Sequence, residues 1–144
     1  MKAASTKRMV VDASVAVAWC FEDESTPFTE AVLEALTRGT EGAAPALWPF
    51  EVANALLVAE RRKRLSMGQT SALLQRLSAL PIRVEASHPV LAFEKVLPLA
   101  RQLGLTEYDA AYADLALREA LPLATLDEKV REAARFAGIQ LFTI

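Results

Sequence analysis

The chain has 144 residues, 53% of them hydrophobic, with 16 Lys and Arg, 18 Asp and Glu, one histidine and one cysteine. That length suits one domain with a substantial core, undivided by any Pro-, Gly- or Ser-rich stretch, and the lone Cys20 excludes an internal disulfide framework and a thiolate zinc site, leaving it as an apolar filler. No apolar run reaches the ~20 residues that span a bilayer and residues 1–8 lack a signal-peptide core, so a soluble, cytoplasmic protein is expected, while the net charge of −2 speaks against a polyanionic partner unless charge is segregated.

Residues 1–8 read as an N-terminal extension, followed by a domain over 9–144. Met9-Val10-Val11 is a β-prone run ending in Asp12, and Ala13 to Phe21 is helix-compatible, so a buried strand feeds a helix. Glu24 to Arg38 predicts a helix closed by Gly39, with Val32, Leu33 and Leu36 on one face. Ala43 to Leu47 is a weak second strand, and Pro49 to Arg64 has helical spacing. Ser66 with Gln69 three residues on is a capping box that opens a helix to Leu80. Ile82-Arg83-Val84 predicts a third strand and Val90 to Leu103 an amphipathic helix stopped by Gly104. Thr106 to Glu119 is the next helix, Pro122 to Thr125 a fourth strand, Asp127 to Phe136 a helix ended by Gly138, and Ile139 to Phe142 a last strand. This alternation predicts a parallel sheet covered on both faces.

Four acids stand where strands hand over to helices or in a first helical turn: Asp12, Glu51, Asp109 and Asp127. Ligands of open α/β sheets bind outside the carboxyl ends of the strands, where strand order reverses. If strands one and four are neighbours there, Asp12 and Asp127 meet across the whole length of the chain. Several carboxylates in one low-dielectric pocket need a cation or protons, and a hard ion such as Mg²⁺ or Mn²⁺ would bring phosphodiester chemistry with it. Each acid also has a plainer role. Asp12 and Asp127 suit N-caps, Asp109 suits a capping box with Thr106, and Glu51 suits a first-turn acid favoured by the helix dipole. Asp114, rotated roughly 140° from Asp109, is expected to face away from the site.

Glu51 heads a helical stripe with Asn54, Ala55, Val58 and Arg62, on which Asn54 is placed to hold the Glu51 carboxylate or a metal-bound water. Arg62 lies about 16 Å further along, within reach of an extended nucleic acid. The basic run Arg61-Arg62-Lys63-Arg64 is either a solvated helix end or a contact for RNA phosphates. Ser14 and Thr125 either orient water or a phosphate oxygen or satisfy local backbone groups. Trp19, Phe21, Trp48 and Phe50 flank two acid motifs, for base stacking or for core and dimer packing. His88, before Pro89 at a helix start, is read as structural.

These segments resemble the PIN-domain family of metal-dependent ribonucleases, specifically the VapC-type toxins of toxin-antitoxin pairs, from Met9 to Ile144. Val10-Val-Asp-Ala-Ser14 is similar to the opening motif, with Asp12 in the first metal-binding position and Ser14 in the small hydroxyl position. Pro49 to Leu56 resembles the second motif, carrying Glu51 and Asn54. Leu105 to Tyr112 resembles the third, with Asp109 flanked by Tyr108 and Tyr112, and Leu121 to Lys129 the fourth, with Thr125 and Asp127. The resemblance implies a three-layer α/β/α sandwich with a five-stranded parallel sheet in the order 3-2-1-4-5. It also implies an RNA substrate and a cognate antitoxin that blocks the site. Asp12, Glu51 and Asp109 would then bind Mg²⁺ or Mn²⁺, with Asp127 as a further ligand or a water-positioning group. The apolar fraction and the helix pair at 49–80 lead us to expect a homodimer.

Two rivals belong to other classes. One is a catalytically inert PIN-like module that binds RNA or protein. The other is an aspartyl-phosphate enzyme of a different doubly wound family, for which Lys129 is the only lysine beside the site.

Overall fold

Val10 and Val11 follow Met9 without a polar break, the pattern of a strand buried on both faces. In the computed structural model, which describes residues 7–144, they lie at the centre of a parallel sheet. Strand β1 (Arg8–Val11) pairs with β2 (Glu41–Ala44) on one side and with β4 (Leu123–Ala124) on the other. Strand β3 (Ile82–Val84) pairs with β2, so the order is β3-β2-β1-β4. Of the extension expected at 1–8, residues 1–6 lie outside the described residues, and Arg8 already belongs to β1, facing Glu41.

The sheet has four strands where five were expected. Residues 139–142 do run beside β4, but they make a single parallel bridge, Leu123 to Leu141. Leu123 N–H donates to Gln140 C=O and Phe142 N–H to Leu123 C=O, both at 2.9 Å. Of the two residues of β4 only Leu123 is paired on that side, so the segment forms a bridge and not a strand.

Successive β1 side chains point to opposite faces. Val10, with Leu123, packs against α3 (Trp48–Arg61), α6 (Glu107–Glu119) and α7 (Glu128–Ala137). Met9 and Val11, with Ala124, pack against Val15 of α1 (Ala13–Ala18) and Val32 and Leu36 of α2 (Pro27–Thr37). Helices therefore cover both faces. Gly42 in β2 is what lets β3 approach, since a Cβ there would stand 2.9 Å from Ile82 Cγ1.

Local chemistry explains the helix ends. Thr26, not Glu24, opens α2: it forms a capping box with Thr29 ahead of Pro27, and Glu22–Glu24 close a separate 3₁₀ turn. The box expected at Ser66 forms, with Ser66 Oγ accepting from Gln69 N–H at 3.1 Å and Gln69 Oε1 from Ser66 N–H at 2.8 Å, and it starts α4 (Met67–Ser78). Residues Leu91–Val96 form a wider π-type segment before α5 (Leu97–Leu103), next to Pro98, which has no N–H to give to the preceding turn. Gly104 and Gly138 end their helices at φ 65° and 77°, left-handed backbone that glycine adopts without strain.

Candidate functional site

Each strand ends in a loop on the same edge of the sheet, and strand order reverses between β1 and β4, so the loops leaving Val11 and Ala124 meet there. Asp12 N–H donates to Ala124 C=O at 2.9 Å, which sets Asp12 beside Thr125. Asp12 is buried, 7% exposed, and its carboxylate does not cap α1. Its Oδ2 instead accepts from Ser14 Oγ and Thr125 Oγ1, each at 2.7 Å. The two hydroxyls look outward as acceptors, Ser14 Oγ from Leu126 N–H and Thr125 Oγ1 from Asp127 N–H, both at 3.1 Å. Their protons are committed to Asp12, and their remaining capacity ties the β4 loop to the β1 loop.

Glu51 enters from the first turn of α3, half-buried, and its Oε1 accepts from Tyr112 O–H at 2.6 Å. The same phenol oxygen accepts from Ala13 N–H at 3.4 Å. Tyr112 is thus a buried pin that joins the first, second and third motifs. Burial and the Glu51 hydrogen bond, with the charges of Asp12 and Glu51, push its phenol far above its ordinary pKa, so it stays a donor. Sequence reasoning placed Tyr112 only as a flank of Asp109. The available signal was its position three residues on, on the acid's own helical face, together with the rule that a buried phenol needs a polar partner.

Asp109, in the first turn of α6, receives its N-cap from Thr106, whose Oγ1 accepts from Asp109 N–H at 3.1 Å; the return bond of a capping box is not formed. Asp127 caps α7 with Oδ1, accepting from Val130 N–H at 3.0 Å, and is exposed. The four acids converge closely enough to feel one another. Burial raises the pKa of Asp12, with Asp127 adding to it while the Ser14 and Thr125 hydroxyls pull it down. Glu51 is raised by burial and then by Asp12 and Asp109, against the Tyr112 bond. Asp109 is raised by burial and by Asp127 and Asp12, with Lys129 offsetting part. An all-oxygen donor set under mutual repulsion has the chemistry that a hard divalent cation satisfies. Even so, no three His, Cys, Asp or Glu side chains among the described residues are gathered tightly enough to hold an ion. One carboxylate oxygen of each of Asp12, Glu51 and Asp127 accepts from a protein donor.

A PIN-domain profile matches residues 9–136. The chain belongs to the PIN-domain family. No curated protein matches it in sequence. Among solved structures, the fold is similar to PAE2754 from Pyrobaculum aerophilum, at 26% identity over 89% of this chain and 86% of that one, with a TM-score of 0.66. VapBC2 from Rickettsia felis, solved bound to a DNA fragment from the VapBC2 promoter, matches at 18% identity over 94% and 97% of the two chains, TM-score 0.65. FitAcB from Neisseria gonorrhoeae matches at 18% identity over 94% and 96%, TM-score 0.58.

Within this PIN domain the remaining candidates fall in different places. Asn54 is exposed and does not hold Glu51; Tyr112 does. The stripe through Glu51, Asn54 and Arg62 runs along the margin of α3, whose buried face is Trp48, Val52, Leu56 and Ala59. Arg61, Arg62 and Lys63 are exposed and make no ion pair among the described residues, whereas Arg64 is engaged internally. Its guanidinium bonds Asp23 at 3.0 and 3.1 Å and sits 4.4 Å from the centre of the Phe21 ring. Phe21 and Trp48 are core, Trp19 Nε1 donates to Thr29 C=O, and Phe50 is 79% exposed. Asp114 faces away from the four acids, buried against Arg118.

Proposed function

We propose that this PIN domain is a divalent-metal-dependent endoribonuclease of the VapC type, a toxin inhibited by a cognate antitoxin. PIN domains are generally nucleases. What carries the reading for this chain is the convergence of Asp12, Glu51, Asp109 and Asp127 at the β1–β4 switch point, with three of them held above the ordinary carboxylate range. Asp12, Glu51 and Asp109 would hold Mg²⁺ or Mn²⁺, with Asp127 as a further ligand or a water-positioning group. A bound divalent ion supplies an activated water and stabilises charge on a phosphate oxygen. The chain's own residues do the positioning: Ser14 and Thr125 fix Asp12, Tyr112 fixes Glu51, and Thr106 fixes the turn that presents Asp109. Arg61, Arg62 and Lys63 stand exposed to meet RNA phosphates. The resemblance of four ordered motifs to VapC-type toxins and the fold likeness to VapBC2 support an antitoxin partner.

The test is cleavage of transfer RNA and total cellular RNA with Mn²⁺, Mg²⁺ or EDTA, beside the double variant Asp12→Asn, Asp109→Asn. Discrete metal-dependent products, reduced at least about a hundredfold in the variant, are expected. The inert binding module is the second reading, favoured by the spacing of the acids, no three of which are gathered round one point among the described residues. A folded protein, free of antitoxin, that cleaves neither RNA with either metal moves the assignment there. Trapping of an aspartyl-phosphate analogue would instead point to the phosphate-transfer rival.

A further inference from the structure

We propose that Lys129, in the first turn of α7, is the phosphate-binding residue of the acid site, its ammonium meeting a backbone phosphate of an RNA strand laid across the four acids. The inference rests on the ribonuclease reading for its ligand and goes beyond it in assigning the cation that holds the RNA there. A phosphodiester is repelled by the acids themselves. Asp12, Glu51, Asp109 and Asp127 lie near enough that their charges act on one another, and with all four ionised a single divalent ion still leaves two negative charges. An RNA phosphate brings a third, and repulsion in a partly buried site is screened much less than in open solvent. A cation fixed beside the acids offsets it.

The fold puts Lys129 in that place. Because α6 leads into β4 and α7 leaves it, the first turns of both helices stand at the same edge of the sheet. Residues four apart share a helical face, so Lys129 lies one turn N-terminal to Ala133. Ala133 is buried in one apolar cluster with Ala110, the residue that follows Asp109 on α6. The stripe that carries Lys129 is therefore the one that packs toward α6, at the level of the turn that presents Asp109. The electrostatics agree: Lys129 is the one cation that pulls Asp109 down, and none does so for Asp12 or Glu51 among the described residues.

The donors of Lys129 are free for a ligand. It is exposed and makes no ion pair or side-chain hydrogen bond among the described residues. The other cations of α7 are engaged. Arg131 donates to Thr125 C=O at 3.2 Å and sits 5.6 Å from the centre of the Phe28 ring. Arg131 and Arg135 both pair with Glu128, at 3.8 and 3.5 Å, which leaves that carboxylate turned away from its neighbour Lys129. Arg62, well along α3 from Glu51, is too distant to offset the acids. A lysine ammonium is a compact point charge with rotatable donors, which suits a phosphate that slides past on a flexible strand.

The experiment is titration of fluorescent transfer RNA with wild type, Lys129→Gln, Lys129→Arg and Arg38→Gln over a range of salt concentrations, with Ca²⁺ as the hard divalent ion and the RNA checked intact on a gel. Arg38, exposed at the end of α2 and paired with Glu34, controls for the loss of one positive charge. Thermal melting of each variant shows that it is folded. At low salt Lys129→Gln should bind about tenfold more weakly. Its plot of log affinity against log salt should flatten by about 0.7, the share of one phosphate contact on a single strand. Lys129→Arg should keep the wild-type slope, and Arg38→Gln should match wild type throughout. Equal slopes for wild type and Lys129→Gln, or the same loss in Arg38→Gln, overturns the proposal. Mn²⁺ titration without RNA separates the other role a charge could have: tighter Mn²⁺ binding in Lys129→Gln with an unchanged RNA slope overturns the proposal and leaves Lys129 as a countercharge to Asp109. Cleavage by the wild type with a slope that ignores Lys129 removes this assignment alone. Binding that depends on Lys129 without cleavage supports the assignment and removes the catalytic reading alone, while a wild type that binds no RNA overturns both.

Discussion

Asp12 accepts two hydroxyl hydrogen bonds through one oxygen and still sits above the ordinary carboxylate range, because burial outweighs those bonds. The same balance holds for Glu51 and Asp109. For a carboxylate whose folded pKa exceeds its unfolded one, the folded state is the better proton binder. Its metal-free stability is then highest below the unfolded pKa of ~4 and falls as pH rises through the higher folded value. Melting in EDTA as pH rises from about 4 should show this decline, and it should be smaller in the Asp12→Asn, Asp109→Asn variant; parallel curves would sink the electrostatic account. Added Mg²⁺ or Mn²⁺ should raise the wild-type midpoint most at the high-pH end. Tyr112→Phe removes the donor to Glu51 and should cost about 1 kcal/mol of stability and about tenfold in Mn²⁺ affinity. A loss of stability with unchanged Mn²⁺ affinity would make Tyr112 merely structural.

At the scale of elements, α6 carries the site because it is tied at several points. Tyr112 pins it to α1 and α3, and Arg118 bonds Asp114 on its own helix at 2.6 Å and Glu85 beyond β3 at 2.9 and 3.1 Å. Asp114 is buried where an apolar residue suits an α/β core, so it depends on that arginine. Arg118→Ala should destabilise by about 2 kcal/mol, measured by urea unfolding, since it leaves a buried carboxylate without its donor. Replacing Asp114 and Arg118 together by leucine should recover most of that loss; equal loss in both proteins would mean that packing, not charge pairing, is what Arg118 contributes. Helix α4 is the opposite case. Only Leu77 is fully buried on it, so its place depends on the Ser66–Gln69 box and on what covers its outer face.

For the whole molecule, exposed apolar side chains bear on assembly. Phe50 and Leu57 on α3 and Met67 and Leu74 on α4 are exposed, Met67 at 78%. Apolar side chains in such number on one helix pair support the expected homodimer. Light scattering at micromolar concentration should give about twice the 15.7 kDa chain mass, and a species of single-chain mass alone would contradict it. No helix among the described residues is long and apolar enough to cross a membrane.

Local information carried most of the architecture into the sequence. The capping residues Ser66, Thr106 and Asp127, the stops at Gly104 and Gly138, and the buried run at Met9 to Val11 each act within a few residues, so their elements were readable in order. The candidate acids stood out because they sit at strand exits and helix starts, where parallel sheets gather side chains. What local signals cannot express is pairing between distant parts of the chain. Tyr112 bonding Glu51, Arg64 turning back to Asp23, Asn54 standing away from the acid it was expected to hold, and a last segment that makes one bridge to β4 are all long-range outcomes. They were decided when the sheet brought β1 against β4 and the helices closed over it, since only then does a side chain meet its partner at hydrogen-bond distance.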